Sequence, residues 1–249
     1  MSVLSGKNVL LGISGGIAAY KSPNIVRAFI KEGANVKVVM TESAKDFVTP
    51  LSLSTVSNNP VYSTFKSEDE DCVWNNHVDL VLWCDFMIVC PATANTLFKM
   101  SNGNCDNLLI AVYLSCKSKV FFAPAMDLDM YKHESTKKSI SQLQSFGNVL
   151  IPPSVGELAS GLVGEGRLPE PKEIIDFVID HFSSHMDVNA IINCGVDSKD
   201  AELIVKNSSL NVKRAFDYSS INWTNPDSQD PYLIMDCQEI KTTWHPIGY

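Results

Sequence analysis

The chain has no apolar run long enough to span a membrane, no Cys-x-x-Cys pair, no basic cluster, no internal repeat and no low-complexity stretch. The first absence leaves no membrane partner and no transmembrane helix to expect. Met1 is followed by polar residues rather than an apolar signal core, so no secretory signal is expected. Seven cysteines (Cys72, Cys84, Cys90, Cys105, Cys116, Cys194 and Cys237) are scattered and odd in number. That pattern suits neither a disulfide framework nor a zinc site; buried, reduced thiols in a cytoplasmic protein are the expectation. A net charge of −8 with no basic patch argues against nucleic acid as a partner.

What is present is enough apolar residue, 45% of 249 positions, to build a proper core. Short, nearly continuous apolar runs at Asn8–Ile13, Asn35–Met40, Phe86–Cys90, Val120–Ala123 and Asn148–Ile151 predict strands covered on both faces. Helical patterns lie between them: Ile17–Lys31, stopped by Gly33; Val78–Trp83; Leu108–Leu114; and Lys137–Phe146, stopped by Gly147. This alternation predicts an α/β fold, a doubly wound (flavodoxin-like) parallel sheet with helices on both faces. It occupies residues 1–182. Residues 183–249 read differently, with strand-like runs at Ala190, Glu202 and Tyr232 among Asn, Asp and Ser turns, as a C-terminal extension or small β appendage.

In such sheets ligands bind beyond the carboxyl ends of the strands, and four polar segments sit there: Ser14–Gly16, Thr41–Ser43, Pro91–Thr96 and Pro124–Asp127. The first breaks a buried strand into a Ser-Gly-Gly turn and then a helix. Unpaired N–H groups and the helix dipole at such a start suit a phosphate, although a tight turn with no ligand looks the same. No Gly-Lys-Ser/Thr follows and the third glycine of a dinucleotide fingerprint is missing, so a mononucleotide such as FMN fits better than ATP or NAD. His77 stands at a predicted helix start, where it is either a capping residue or a proton carrier near neutral pH. The segment Gly156–Arg167 holds four glycines and reads as a flap, mobile or shaped around a ligand.

The segments Gly-Ile-Ser-Gly-Gly-Ile-Ala-Ala-Tyr-Lys, Val-Val-Met-Thr-Glu-Ser-Ala, Pro-Ala-Thr-Ala-Asn-Thr, Ala-Pro-Ala-Met and Gly-Glu-Leu-Ala-x-Gly-x-Val-Gly-Glu-Gly-Arg occur in this order. Together they resemble the flavin-dependent cysteine decarboxylases, which include phosphopantothenoylcysteine decarboxylase of coenzyme A synthesis and the peptidyl-cysteine decarboxylases of epidermin-type lantibiotics. The resemblance covers about Gly6 to Phe182 and is closest to the coenzyme A branch. It implies FMN held by Ser14, Gly15, Gly16 and Ile17, by Thr41 and Ser43, by Thr93, Ala94, Asn95 and Thr96, and by Ala125 and Met126. It implies a cysteinyl small-molecule or peptide substrate met by Asp127, Glu157, Leu158 and Ala159. His77 matches the histidine that helps deprotonate the substrate thiol. Homotrimers, often gathered into dodecamers, are implied too, with His77 facing flavin held by a neighbour.

Two catalytic positions depart from the family pattern. Asp127 stands where an asparagine donates to the substrate carboxylate; an ionised Asp accepts only and repels a carboxylate. Ser160 stands where the coenzyme A branch has the cysteine that protonates the enethiolate before reduction, and an alcohol is a far weaker acid than a thiol. Tyr131, where tryptophan is usual, is a milder change. The leading expectation is oxidative decarboxylation that stops at the enethiol, as in specialised sulfur metabolism. The alternatives are the ordinary coenzyme A decarboxylase role, and a non-catalytic flavin-binding subunit of a mixed oligomer.

Overall fold

The computed structural model describes residues 2–66, 75–184, 190–193, 202 and 214–217. The chain divides into two compact units, a larger one of Leu4–Phe177 and a smaller one of Val178–Tyr249 with Met1–Val3.

In the larger unit the elements follow one another as β1 (Asn8–Ile13), α1 (Ser22–Lys31), β2 (Asn35–Met40), α2 (Pro50–Ser57), β3 (Val61–Tyr62), α3 (His77–Trp83) and β4 (Phe86–Ala92). Then come α4 (Ala94–Asn102), α5 (Leu108–Ser115), β5 (Lys119–Pro124), α6 (Leu128–Lys132), α7 (Glu134–Ser145), β6 (Val149–Leu150), β7 (Ser154–Glu157), β8 (Val163–Arg167) and α8 (Pro171–Ser184), whose residues from Val178 on are counted with the smaller unit. Six strands make one parallel sheet in the order β3-β2-β1-β4-β5-β6. The order reverses between β1 and β4, which opens a crevice at their carboxyl ends. Without the two-residue edge strand β3, this is the flavodoxin-like order.

Alternation along the strands builds two cores, because successive side chains face opposite ways. Leu10, Val39, Met87, Val89 and Phe122 pack with Leu97, Leu109, Val112 and Leu143 of α4, α5 and α7. On the other face, Phe86 meets Phe29 of α1 and Phe121 of β5, with ring centroids 6.1 and 5.7 Å apart. All of β4 is buried, as its apolar sequence requires.

Differences from the sequence reading are local. The expected helix Ile17–Lys31 begins as a 3₁₀ turn over Ile17–Lys21 and becomes α-helical at Ser22, where Pro23 suits a first turn because its missing N–H is not needed there. The helices α2, α4, α6 and α8 and the short strand β3 were not foreseen. The glycine-rich flap is an antiparallel hairpin, β7 with β8. Its glycines leave no apolar alternation to read, and Val155 and Val163 point to solvent. In the smaller unit the Ala190 run is β9 (Ala190–Asn193), paired in parallel with β10 (Arg214–Asp217). The expected runs at Glu202 and Tyr232 lie outside the described residues apart from Glu202, as do Cys72, Cys194 and Cys237.

Candidate functional site

A cavity of about 1050 Å³ lies at the carboxyl ends of the strands. One wall comes from the turns after β1 (Gly15–Ile17), β2 (Thr41, Ser43), β4 (Thr93–Thr96) and β5 (Ala125–Asp127). The hairpin faces it with Glu157, Leu158, Ala159 and Ser160. The structure therefore brings together every cofactor- and substrate-binding residue expected from the sequence except Ser14.

Ser14 is fully buried and supports the wall from behind. Its hydroxyl donates to the Pro91 carbonyl at 2.8 Å and accepts from the Thr93 N–H at 2.9 Å, so both its functions are spent pinning β1 to β4. Gly15 is a steric requirement: a Cβ there would lie 2.2 Å from the Ser43 hydroxyl and 2.7 Å from the Ser43 backbone carbon. Its N–H donates to Thr41 Oγ1 at 3.1 Å, tying the turns after β1 and β2.

Helix starts differ in a telling way. Thr49, Asn76, Thr93, Asn107, Asp127 and His133 each accept a backbone N–H with a side chain, the ordinary way of satisfying a helix start. The 3₁₀ turns that begin after Gly16 and Thr41 have no such cap, and both open into the cavity. Their N–H groups and dipoles are left for an anion.

The flap side is built differently. Asp127 Oδ1 accepts from the Leu128 N–H at 2.7 Å, capping α6, and from the Ser160 hydroxyl at 2.9 Å. The two positions that depart from the family pattern thus bond to each other across 33 residues of sequence. The hairpin is seated against this loop because Gly166, at φ +133°, lets Met126 N–H reach its carbonyl at 3.0 Å; a Cβ there would lie 2.3 Å from the Met126 carbonyl oxygen.

Three cations line the cavity that the sequence reading did not place there. Lys21 is buried; its ammonium donates to Glu170 at 2.8 Å and to the Leu168 carbonyl at 3.1 Å. Arg167 donates to the same Glu170 carboxylate at 2.9 Å, and Lys99 pairs with Asp106 at 2.5 Å. Hydrogen bonding from Lys21, reinforced by Arg167, holds the Glu170 carboxyl below the usual carboxylate range; Lys99 does the same for Asp106. Cys90, beneath the cavity, is fully buried and its thiol is pushed well up by desolvation, so it is no nucleophile.

His77 stands apart. It begins α3, half-buried, with its ring edge-on to Phe65 at 6.4 Å, and it does not line the cavity. Its Nδ1 is buried and has no hydrogen-bond partner among the described residues. A buried ring nitrogen without a partner needs an explanation, and this chain's own cavity does not supply one.

The Flavoprotein family model matches residues 2–183. The chain belongs to the flavin-dependent cysteine decarboxylase family of flavoproteins. It is 44% identical over 182 residues to the coenzyme A biosynthesis bifunctional protein CoaBC of Bacillus subtilis (strain 168), covering 73% of this chain and 44% of that one. It is 52% identical over 136 residues to a cysteine/cysteine sulfinic acid decarboxylase from an unknown prokaryotic organism, covering 55% of this chain and 38% of that one. The chain therefore spans less than half the length of these curated relatives. Among solved structures, a cysteine-to-serine variant of PPC decarboxylase complexed with pantothenoylaminoethenethiol aligns with TM-score 0.64 at 35% identity, over 72% of this chain and 100% of that one. The FMN binding protein AtHal3 aligns with TM-score 0.62 at 35% identity, over 72% of this chain and 98% of that one.

Proposed function

We propose that this chain forms an FMN-dependent enzyme that oxidatively decarboxylates a cysteinyl substrate and releases the enethiol. The observation that carries the reading is the Ser160 hydroxyl, which donates to Asp127 at the cavity wall where the resemblance puts an acidic thiol. A thiol titrates at about pH 8.5, whereas an alcohol holds its proton through the whole working range. Ser160 is thus a poor source of the proton that the final reduction requires. The solved relative that is itself a cysteine-to-serine variant is bound to an enethiol, which supports the same outcome.

The residues present fit the cofactor. The uncapped turns at Gly16 and Thr41, with the hydroxyls of Ser43 and Thr93, would hold the phosphate, and Gly15 permits the close backbone approach. Ile17, Ala125 and Met126 offer apolar surface for a flavin ring. Bound FMN supplies a two-electron acceptor for a hydride from the carbon bearing sulfur, with dioxygen as the terminal oxidant. His77 would take the thiol proton from sulfur. The carbon–sulfur double bond so formed lies β to the carboxylate and accepts the electron pair released when carbon dioxide leaves, giving the enethiolate. The hairpin, seated on Met126 and latched by Ser160, orients the substrate and keeps water out.

Because His77 lies outside its own chain's cavity, the proposed enzyme is a homotrimer, or a dodecamer built of four trimers. His77 of the partner subunit would then complete each site, giving its Nδ1 surroundings that the single chain lacks. A cytoplasmic location fits the scattered cysteines, of which Cys84, Cys90, Cys105 and Cys116 are free; Cys105, contrary to the expectation of burial, is exposed.

A second reading, reduction through to the saturated thiol as in coenzyme A synthesis, is favoured by the similarity to CoaBC. Mass spectrometry of the product from phosphopantothenoylcysteine and from cysteine separates the two. Loss of carbon dioxide plus two hydrogens supports the enethiol, and loss of carbon dioxide alone supports the second reading. No reaction with either leaves the flavin-binding subunit.

A further inference from the structure

The charges of the cavity are unevenly partnered. Each cation that lines it has a protein acid beside it: Glu170 for Lys21 and Arg167, and Asp106 for Lys99. Asp127 and Glu157 line it as well, and neither makes an ion pair among the described residues. Both donors that reach the half-buried Asp127 converge on Oδ1. Its Oδ2 has no protein donor among the described residues, while Oδ1 is held by α6 on one side and by the hairpin on the other. Asp127 therefore offers the cavity a fixed carboxylate with an open acceptor, and the exposed Glu157 lines the same cavity.

We infer that Asp127, in a cavity that Glu157 also lines, selects a cysteinyl substrate whose α-ammonium group is free. This rests on the decarboxylase reading, which needs a free α-carboxylate as well. The two requirements together leave the unblocked amino acid cysteine as the substrate class. An N-acylcysteine brings a net negative charge toward Asp127 and Glu157, and its amide N–H is an uncharged donor. Free cysteine is net neutral, and its ammonium makes a charge-assisted hydrogen bond to Oδ2, roughly twice as strong as a neutral one. Like charges in a partly buried site repel without full screening by water, which works against the acylated form.

The test compares L-cysteine with N-acetyl-L-cysteine as substrates of the purified flavin-loaded protein, by kcat/KM for carbon dioxide release. Calorimetric binding of S-methyl-L-cysteine against N-acetyl-S-methyl-L-cysteine runs alongside, since these thiol-blocked ligands report affinity without turnover. The wild type should favour the free amino acid about tenfold or more in both assays, the scale of one charge-assisted contact. Asp127→Asn, which keeps a helix-capping side chain, should cut that preference to about twofold or less; Ser160→Ala, which keeps the carboxylate, should retain it. Equal or reversed preference in the wild type would overturn the inference, and so would a full preference surviving in Asp127→Asn. If neither of these substrates nor phosphopantothenoylcysteine is turned over, the decarboxylase reading fails, and the calorimetric ratio still decides whether Asp127 selects the ammonium.

Discussion

The two walls of the cavity are built on different principles. The wall at the strand ends rests on a buried parallel sheet and presents backbone groups, small hydroxyls and two uncapped turns to the cavity. The hairpin wall is exposed, rich in glycine, and presents side chains, Glu157 and Ser160, with Asp127 bonded to it from the turn after β5. Backbone recognition tolerates little sequence change because it depends on close approach. Side-chain recognition can be retuned by one or two substitutions without moving the frame. The two departures from the family pattern accordingly meet where the walls join: Ser160 on the hairpin, and Asp127 at the last position of the turn after β5, bonded to it.

The contrast is tested most severely at Gly15. Gly15→Val puts branched carbon into the space held by Ser43 backbone, so purified protein should lose nearly all bound flavin, read as the ratio of visible to ultraviolet absorbance, while far-ultraviolet circular dichroism stays folded. The matching change on the hairpin should leave flavin in place and alter the product. Ser160→Cys restores a thiol about as acidic as free cysteine and should raise the share of saturated thiol about tenfold or more, measured by mass spectrometry.

Smaller effects belong to the joint between the walls. Lys21→Met removes the charge-assisted bonds to Glu170 and the Leu168 carbonyl and should cost about 2 kcal/mol in urea unfolding at pH 7. Its pH dependence has a definite sign. The Glu170 carboxyl is held below its unfolded value, so the stabilisation is full above about pH 4.3 and is lost as pH falls through the lower, folded value. The gap between wild type and Lys21→Met should therefore narrow in acid. Smallest of all, Ser160→Ala frees the hairpin tip from Asp127, and amide exchange over residues 157–163 should quicken about three- to tenfold with little change in global stability.

The sequence revealed the first wall far more fully than the second. β1 and β2 were legible to the residue, because buried parallel strands are written as unbroken apolar runs ending in polar turns. β3, two residues long, carries too little pattern to read, β6 was expected two residues longer than it is, and glycines concealed the hairpin. The ion pairs could not be read at all: Lys21 and Glu170 are 149 residues apart and only the fold brings them together. The same holds for the bond between Asp127 and Ser160. Each departure was visible by itself, but only the structure shows that they form one pair. His77 was legible as a helix start, which it is in α3, and it lies outside its own chain's cavity, as the resemblance implied.

The central claim, that the reaction stops at the enethiol, is tested most directly by mixing the flavin-loaded protein with excess cysteine in the absence of oxygen. The account predicts one carbon dioxide per flavin, bleaching that persists, and recovery of the yellow colour only when air is admitted. Many carbon dioxides per flavin under the same conditions, with the flavin remaining oxidised, would contradict it, because the electrons would then be returning to the product.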